Sequence, residues 1–199
     1  FSVAAAEALT AALDSPEPGL HILQRLMDKS MLYSSPTSED GQRLWLYNAV
    51  RAFAREHAEQ TGRSTEIRNK HLQWVAERCL ASHFRLDRES LSIEHDNILS
   101  AKRYAVEVSS PLQCAIALGI NRLVGLTTSL AYGQHVLVEA YEEFPEDPLS
   151  VHLLIEIATR LHNAGEHEKA ERQLQEAIAV AQQGENYWLR ARSPMCLSE

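Results

Sequence analysis

The nine histidines and three cysteines of this 199-residue chain are the first places to look for chemistry. His162 and His167 stand five residues apart, with Glu166 and Glu168 between and beside them. Two ligands on one helix reach a shared ion at i,i+3 or i,i+4 spacing. Gly165 puts a turn between these two, so the spacing predicts exposed turn histidines and no metal pair. Glu94-His95-Asp96-Asn97 has the composition of a hydrolytic cluster. Successive helical residues point in different directions, so the four cannot meet at one centre. Asp96 and Asn97 are expected to make local caps or inter-helix hydrogen bonds. His71 sits on the apolar face of a helix predicted over 65–83 and reads as a packed, hydrogen-bonded core residue. Cys79 follows Arg78, which would lower a thiol pKa, but lies beside Leu80 in a helical pattern and reads as buried and inert. No Ser lies in Gly-x-Ser-x-Gly, and no Gly-x-x-x-x-Gly-Lys-[Ser/Thr] phosphate cradle occurs. The residues give no catalytic set, no metal ligand set and no cofactor site of the chain's own, and no reason to read an enzyme.

The elements that would carry these residues are mostly helices. Leu (26) and Ala (25) outnumber Val and Ile together (19), a balance that favours helix over sheet. Residues 2–13 are Ala-rich and helical, and Asp14-Ser15-Pro16-Glu17-Pro18-Gly19 breaks the pattern. A second helix follows over 18–28. Ser30-Met31-Leu32-Tyr33 and Arg43-Leu44-Trp45-Leu46-Tyr47, joined by a polar loop, predict one β-hairpin. Asn48 is expected to cap a helix over 49–61 that ends at Gly62. Further helices are expected over 65–83, 88–108, 112–127, 131–144, 149–163, 167–183 and 185–192.

Net charge is −8, from 19 basic and 27 acidic residues. A protein that binds nucleic acid as its main partner needs clustered cations, so this balance argues against DNA. The helix 18–28 offers His21, Gln24, Arg25 and Lys29 beside Glu17 and Asp28, a weak footprint on phosphates. Cys79, Cys114 and Cys196 are too few and scattered for a disulfide framework, which reads as a reduced, cytosolic protein. No apolar run reaches membrane-spanning length. The chain begins at Phe1 within an apolar helical pattern, and we read it as a piece of a longer protein.

Two resemblances organise this reading. With Ala170 opening a second helix, Ala158 and Leu161 in the first, Gly165 in the turn, and Leu174 and Ala177 on the packing face, residues 151–184 resemble a tetratricopeptide repeat. Trp188 falls on a favoured position one step later, whereas 117–150 fits poorly because Val136 replaces a small residue. Stacked hairpins of this kind form a superhelix that binds partners. The second resemblance rests on Leu26–Leu32, on Leu44-Trp45-Leu46-Tyr47-Asn48-Ala49-Val50-Arg51-Ala52-Phe53-Ala54, and on Glu94–Ala101. In that order they resemble the region after the nucleotide-binding domain of bacterial STAND-class transcriptional regulators, relatives of the NB-ARC proteins.

The expected fold is therefore mainly α: a partial winged helix with one β-hairpin over 1–62, a helical linker bundle over 63–110, and an α-α superhelix of tetratricopeptide-like hairpins over 111–199. The resemblance implies a regulatory, protein-interaction fragment whose ATP/ADP-binding domain lies upstream and is absent. Leu46-Tyr47-Asn48 aligns with the family's Met-His-Asp motif, which implies that Tyr47 faces the nucleotide, with Tyr in place of His. Glu156, Arg160 and Asn163, on inner faces of the repeat helices, are candidate contacts for a protein partner or small inducer. The alternative is a DNA-binding winged-helix regulator with a helical dimerisation arm.

Overall fold

The computed structural model describes residues 1–12, 17–35, 43–85 and 88–183. The expected hairpin tip, the helix 185–192 with Trp188, and Cys196 lie outside them. The chain is mainly helical with one small antiparallel sheet: α1 (Val3–Ala12), α2 (Gly19–Asp28), β1 (Leu32–Ser35), β2 (Arg43–Leu46), α3 (Asn48–Gln60), α4 (Ser64–Arg85), α5 (Glu89–Ser92), α6 (His95–Glu107), α7 (Gln113–Arg122), α8 (Leu130–Glu143), α9 (Ser150–Asn163) and α10 (His167–Gln183). It divides into two compact units. One comprises Phe1–Val75 and Ile93–Tyr104, the other Ala76–Ser92 and Ala105–Glu199.

In the first unit, β1 and β2 pair antiparallel with Leu32 opposite Leu46 and Ser34 opposite Leu44. Opposed residues share a face, so these leucines lie together. Leu32 and Leu44 are buried against Leu23 of α2, with Phe1, Val3, Ala6 and Leu26 packed around them. The alternate face carries Tyr33 and Trp45. Arg43 reaches from β2 to Asp96 of α6 at 3.0 Å. Tyr104 of α6 donates a hydrogen bond to Asn69 of α4 at 2.8 Å, under the guanidinium of Arg68. The single helix expected over 88–108 is two, because residues 93–94 interrupt it. Asn48 is the first residue of α3 and not its cap. Tyr47 precedes it as the cap residue, and its side chain accepts no hydrogen bond from that helix end.

The second unit is organised around α7, in which every residue from Gln113 to Asn121 is buried. A helix that is apolar on all sides belongs at the centre of a bundle. Here α8 returns antiparallel to α7, α10 returns on α9, and α9 packs on both α7 and α8. Close approach of α4 to α7 needs Gly119: a methyl group there would sit 2.3 Å from Cys79 Sγ.

Among the described residues, four helices end in the same hydrogen-bond pattern, the Schellman turn, in which one residue takes positive φ. At Gly62 and Gly165 that residue is glycine. At Ser30 and Ser109 it is serine, with φ of 55° and 46°. After α6, Ser109 N–H donates to Val106 O and Ser110 N–H to Ala105 O. After α2, Ser30 N–H donates to Met27 O and Met31 N–H to Leu26 O. A Cβ in the left-handed region is strained. Ser30→Gly and Ser109→Gly are each expected to raise stability by about 0.5–1 kcal/mol in thermal melts. Gly119→Ala is expected to cost about 2–3 kcal/mol by overpacking against Cys79.

Candidate functional site

Two features of the second unit can support function: a polar cluster where α7 ends, and a cleft over α9. The cluster follows from a general need. The last carbonyls of a helix have no intrahelical donor, and a buried end must find donors elsewhere. Arg160 of α9 donates to the Asn121 carbonyl at 3.2 Å and to Asn121 Oδ1 at 2.9 and 2.7 Å. Asn121 Nδ2 in turn donates to Glu156 Oε2 at 2.7 Å. Glu156 and Arg160 are four apart, so both face α7, and the buried Asn121 amide is held between an acceptor and a donor. Arg88 donates to the carbonyls of Arg122 at 2.8 Å and Val124 at 2.6 Å. Two guanidinium groups thus meet the negative end of the α7 dipole.

Beside this cluster, His83 and Phe84 of α4 meet His152 of α9. The His83 and His152 rings stand 5.6 Å apart and edge-on, and Phe84 lies 5.2 Å from His152. Burial pushes both imidazoles below their ordinary value, opposed in each case by the negative charge of Glu156. The positive charge of Arg122 lowers His83 further.

The cleft, about 350 Å³, lies between α8 and α10 with α9 at its base. Val138, Ile157 and Leu161 give it an apolar floor. Gln134, Tyr141, Glu142, Lys169, Arg172 and Gln173 form a rim of both charges. Tyr141 donates to Glu176 Oε1 at 2.5 Å, which ties α8 to α10. Burial, together with that carboxylate, pushes the Tyr141 phenol up to about 12.

The residues singled out from sequence fall in several places. Of the proposed partner contacts, Glu156 and Arg160 are engaged with Asn121, and Asn163 is exposed one turn on. Tyr47 lies in the first unit, 49% exposed, its ring 4.9 Å from that of Tyr33. Asn97 donates to the buried Glu94 at 2.5 Å and Asp96 pairs with Arg43, so the acidic run makes local and inter-element bonds. His71 is hydrogen-bonded to Asn97, and burial holds its pKa low. Cys79 is fully buried, which pushes its thiol up to about 12, and Arg78 opposes this only weakly. Burial also raises Cys114. His162 and His167 are exposed at the turn, as expected, and the turn at Gly165 places them Nδ1 to Nδ1 at 3.2 Å. Sequence reasoning missed Asn121, Arg88, His83 and His152. For Asn121 the available signal was a polar residue directly after the apolar run Cys114–Ile120; the other three carry none.

No known protein family, curated protein or solved structure matches the chain. Among the described residues, no helix is long and apolar enough to cross a membrane.

Removing the Asn121 amide strands the Glu156 acceptor and the Arg160 donor. Asn121→Ala is expected to cost about 2–3 kcal/mol in urea unfolding, with non-additive coupling to Glu156→Ala. His83 and His152, both lowered, also set a pH dependence. Below the unfolded value of 6.5 the unfolded chain binds protons before the folded one does. Their share of stability is therefore complete above that value and is lost as pH falls through it toward the folded pKa. His83→Gln with His152→Gln is expected to reduce the loss of Tm between about pH 7 and about pH 5, the remainder including the share of His71.

Proposed function

We propose that this chain is an interaction and regulatory module of a nucleotide-switched transcriptional regulator working in the cytoplasm. Residues 1–62 form a partial winged helix that packs on a nucleotide-binding domain, 63–110 a helical linker, and 111–199 tetratricopeptide-like hairpins that receive a protein partner or small inducer. The cleft over α9 is the observation that carries the reading. An apolar floor inside a rim of amides and mixed charge suits an amphipathic peptide or inducer better than a phosphate backbone. The order of packing supports it as well. Hairpin α7–α8 lies against hairpin α9–α10, and the small residues Ala158, Ala170 and Ala177 are buried between close helices.

In the first unit, the order of α2, the hairpin and α3 supports the winged-helix reading. Helix α3 has no buried residue, and Phe53 is 70% exposed on it. Such a helix suits a packing surface for another domain, and Tyr47 stands at its start. Neither ATP nor ADP is held by this fragment alone in this reading. Switching requires two domain arrangements of similar energy, one favoured by nucleotide and the other by the partner in the cleft.

The test uses the full-length regulator. The reading frame preceding Phe1 is expected to encode a P-loop, and a frame without one overturns the parent architecture. Arg172→Glu and Gln134→Trp, both on the cleft rim, are expected to weaken the response to partner or inducer while the Tm stays unchanged. An unchanged response in both removes the cleft from the mechanism. Tyr47→Ala is expected to reduce nucleotide retention on dialysis, and full retention refutes its role.

A further inference from the structure

We infer that His162 and His167 form a two-imidazole site for a borderline divalent transition-metal cation, with Zn²⁺ as the type case. The Nδ1 atoms stand 3.2 Å apart and the ring centroids 4.8 Å apart. A tetrahedral ion about 2.0–2.1 Å from each nitrogen holds two such donors about 3.3 Å apart. The pair already stands at ligand spacing, so binding needs ring tilts and no movement of the backbone.

The backbone that sets this spacing is a closed turn. After α9, Gly165 N–H donates to His162 O at 3.0 Å and Glu166 N–H to Leu161 O at 2.9 Å. Gly165 takes φ of 81°, which reverses the chain so that the last turn of α9 faces the first residue of α10. Five residues apart on one helix the rings would diverge; across this turn they converge. Both histidines are exposed, so an ion reaches them directly.

In the metal-free arrangement one Nδ1–H donates to the other Nδ1. On binding, the donor ring moves that proton to its own Nε2 through solvent. Both rings stay neutral, and both Nδ1 lone pairs face the ion. Glu166, between the two histidines, is paired with Lys169. Among the described residues no third His, Cys, Asp or Glu completes a set with them. The remaining coordination positions therefore belong to water, and the affinity is that of a two-ligand site. Imidazole selects Zn²⁺, Cu²⁺ or Ni²⁺, whereas Mg²⁺ and Ca²⁺ prefer oxygen donors.

The experiment is a titration of the 199-residue chain with ZnCl₂ at neutral pH, followed by calorimetry and by the histidine ring resonances. One saturable site is expected, with the His162 and His167 signals moving together. It should vanish in His162→Ala and in His167→Ala, persist in His135→Ala, and be absent with MgCl₂. Both positions are exposed, and unchanged far-UV circular dichroism confirms that the variants fold. Zinc binding that survives the double variant overturns the assignment. So does a wild-type chain whose His162 and His167 signals stay fixed up to millimolar zinc.

Discussion

The second unit depends on how a fully buried helix ends. Helix α7 can occupy the centre because its side chains are apolar or small on every face, but its terminal carbonyls are as polar as those of any helix. Burying them without donors would cost more than the packing of one or two side chains returns. Arg160 donates to the Asn121 carbonyl and Arg88 to the Arg122 carbonyl, beside backbone bonds from Leu123 N–H and Val124 N–H. Once Arg160 is committed to α7, its neighbour Glu156 is placed to take the Asn121 amide, and α9 is locked in register against α7. The seating of α10 on α9 rests on the turn at Gly165 and on Ala177 packing against Val151 and Leu154.

Much of this architecture was legible in sequence, for identifiable reasons. The helices announced themselves through Leu and Ala, and the lone hairpin through two short apolar runs. Ala158, Ala170 and Ala177 were read as small packing residues, and all three are buried. Leu174, read on a packing face, is 45% exposed among the described residues. Hydrophobic period gave the faces of helices but not their ends. The interruption at residues 93–94 is invisible because the apolar spacing continues across it. Tyr47 and Asn48 exchanged places for a similar reason: a good capping residue type does not show which residue first adopts helical angles.

The candidate site was less legible. Arg88 and Arg122, or His83 and His152, are distant in sequence, and their meeting depends on which helix faces are buried. Asn121 falls inside the helix expected over 112–127, and the sequence reading did not single it out. Its role comes from burial, which turns a modest amide into a bridge between a carboxylate and a guanidinium. The histidine pair was read as exposed turn residues, and both are exposed. A spacing rule for a continuous helix does not give the distance across a turn, and the left-handed residue at Gly165 sets the two rings 4.8 Å apart.

The contact between Gly119 and Cys79 gives the chain an internal clock for opening. Cys79 has no exposed surface, its thiol is held in the unreactive protonated form, and the α7 backbone lies against its sulfur. Alkylating reagents can reach it only when α4 and α7 separate. The rate of modification of this thiol therefore measures how often the centre of the second unit comes apart, without any denaturant.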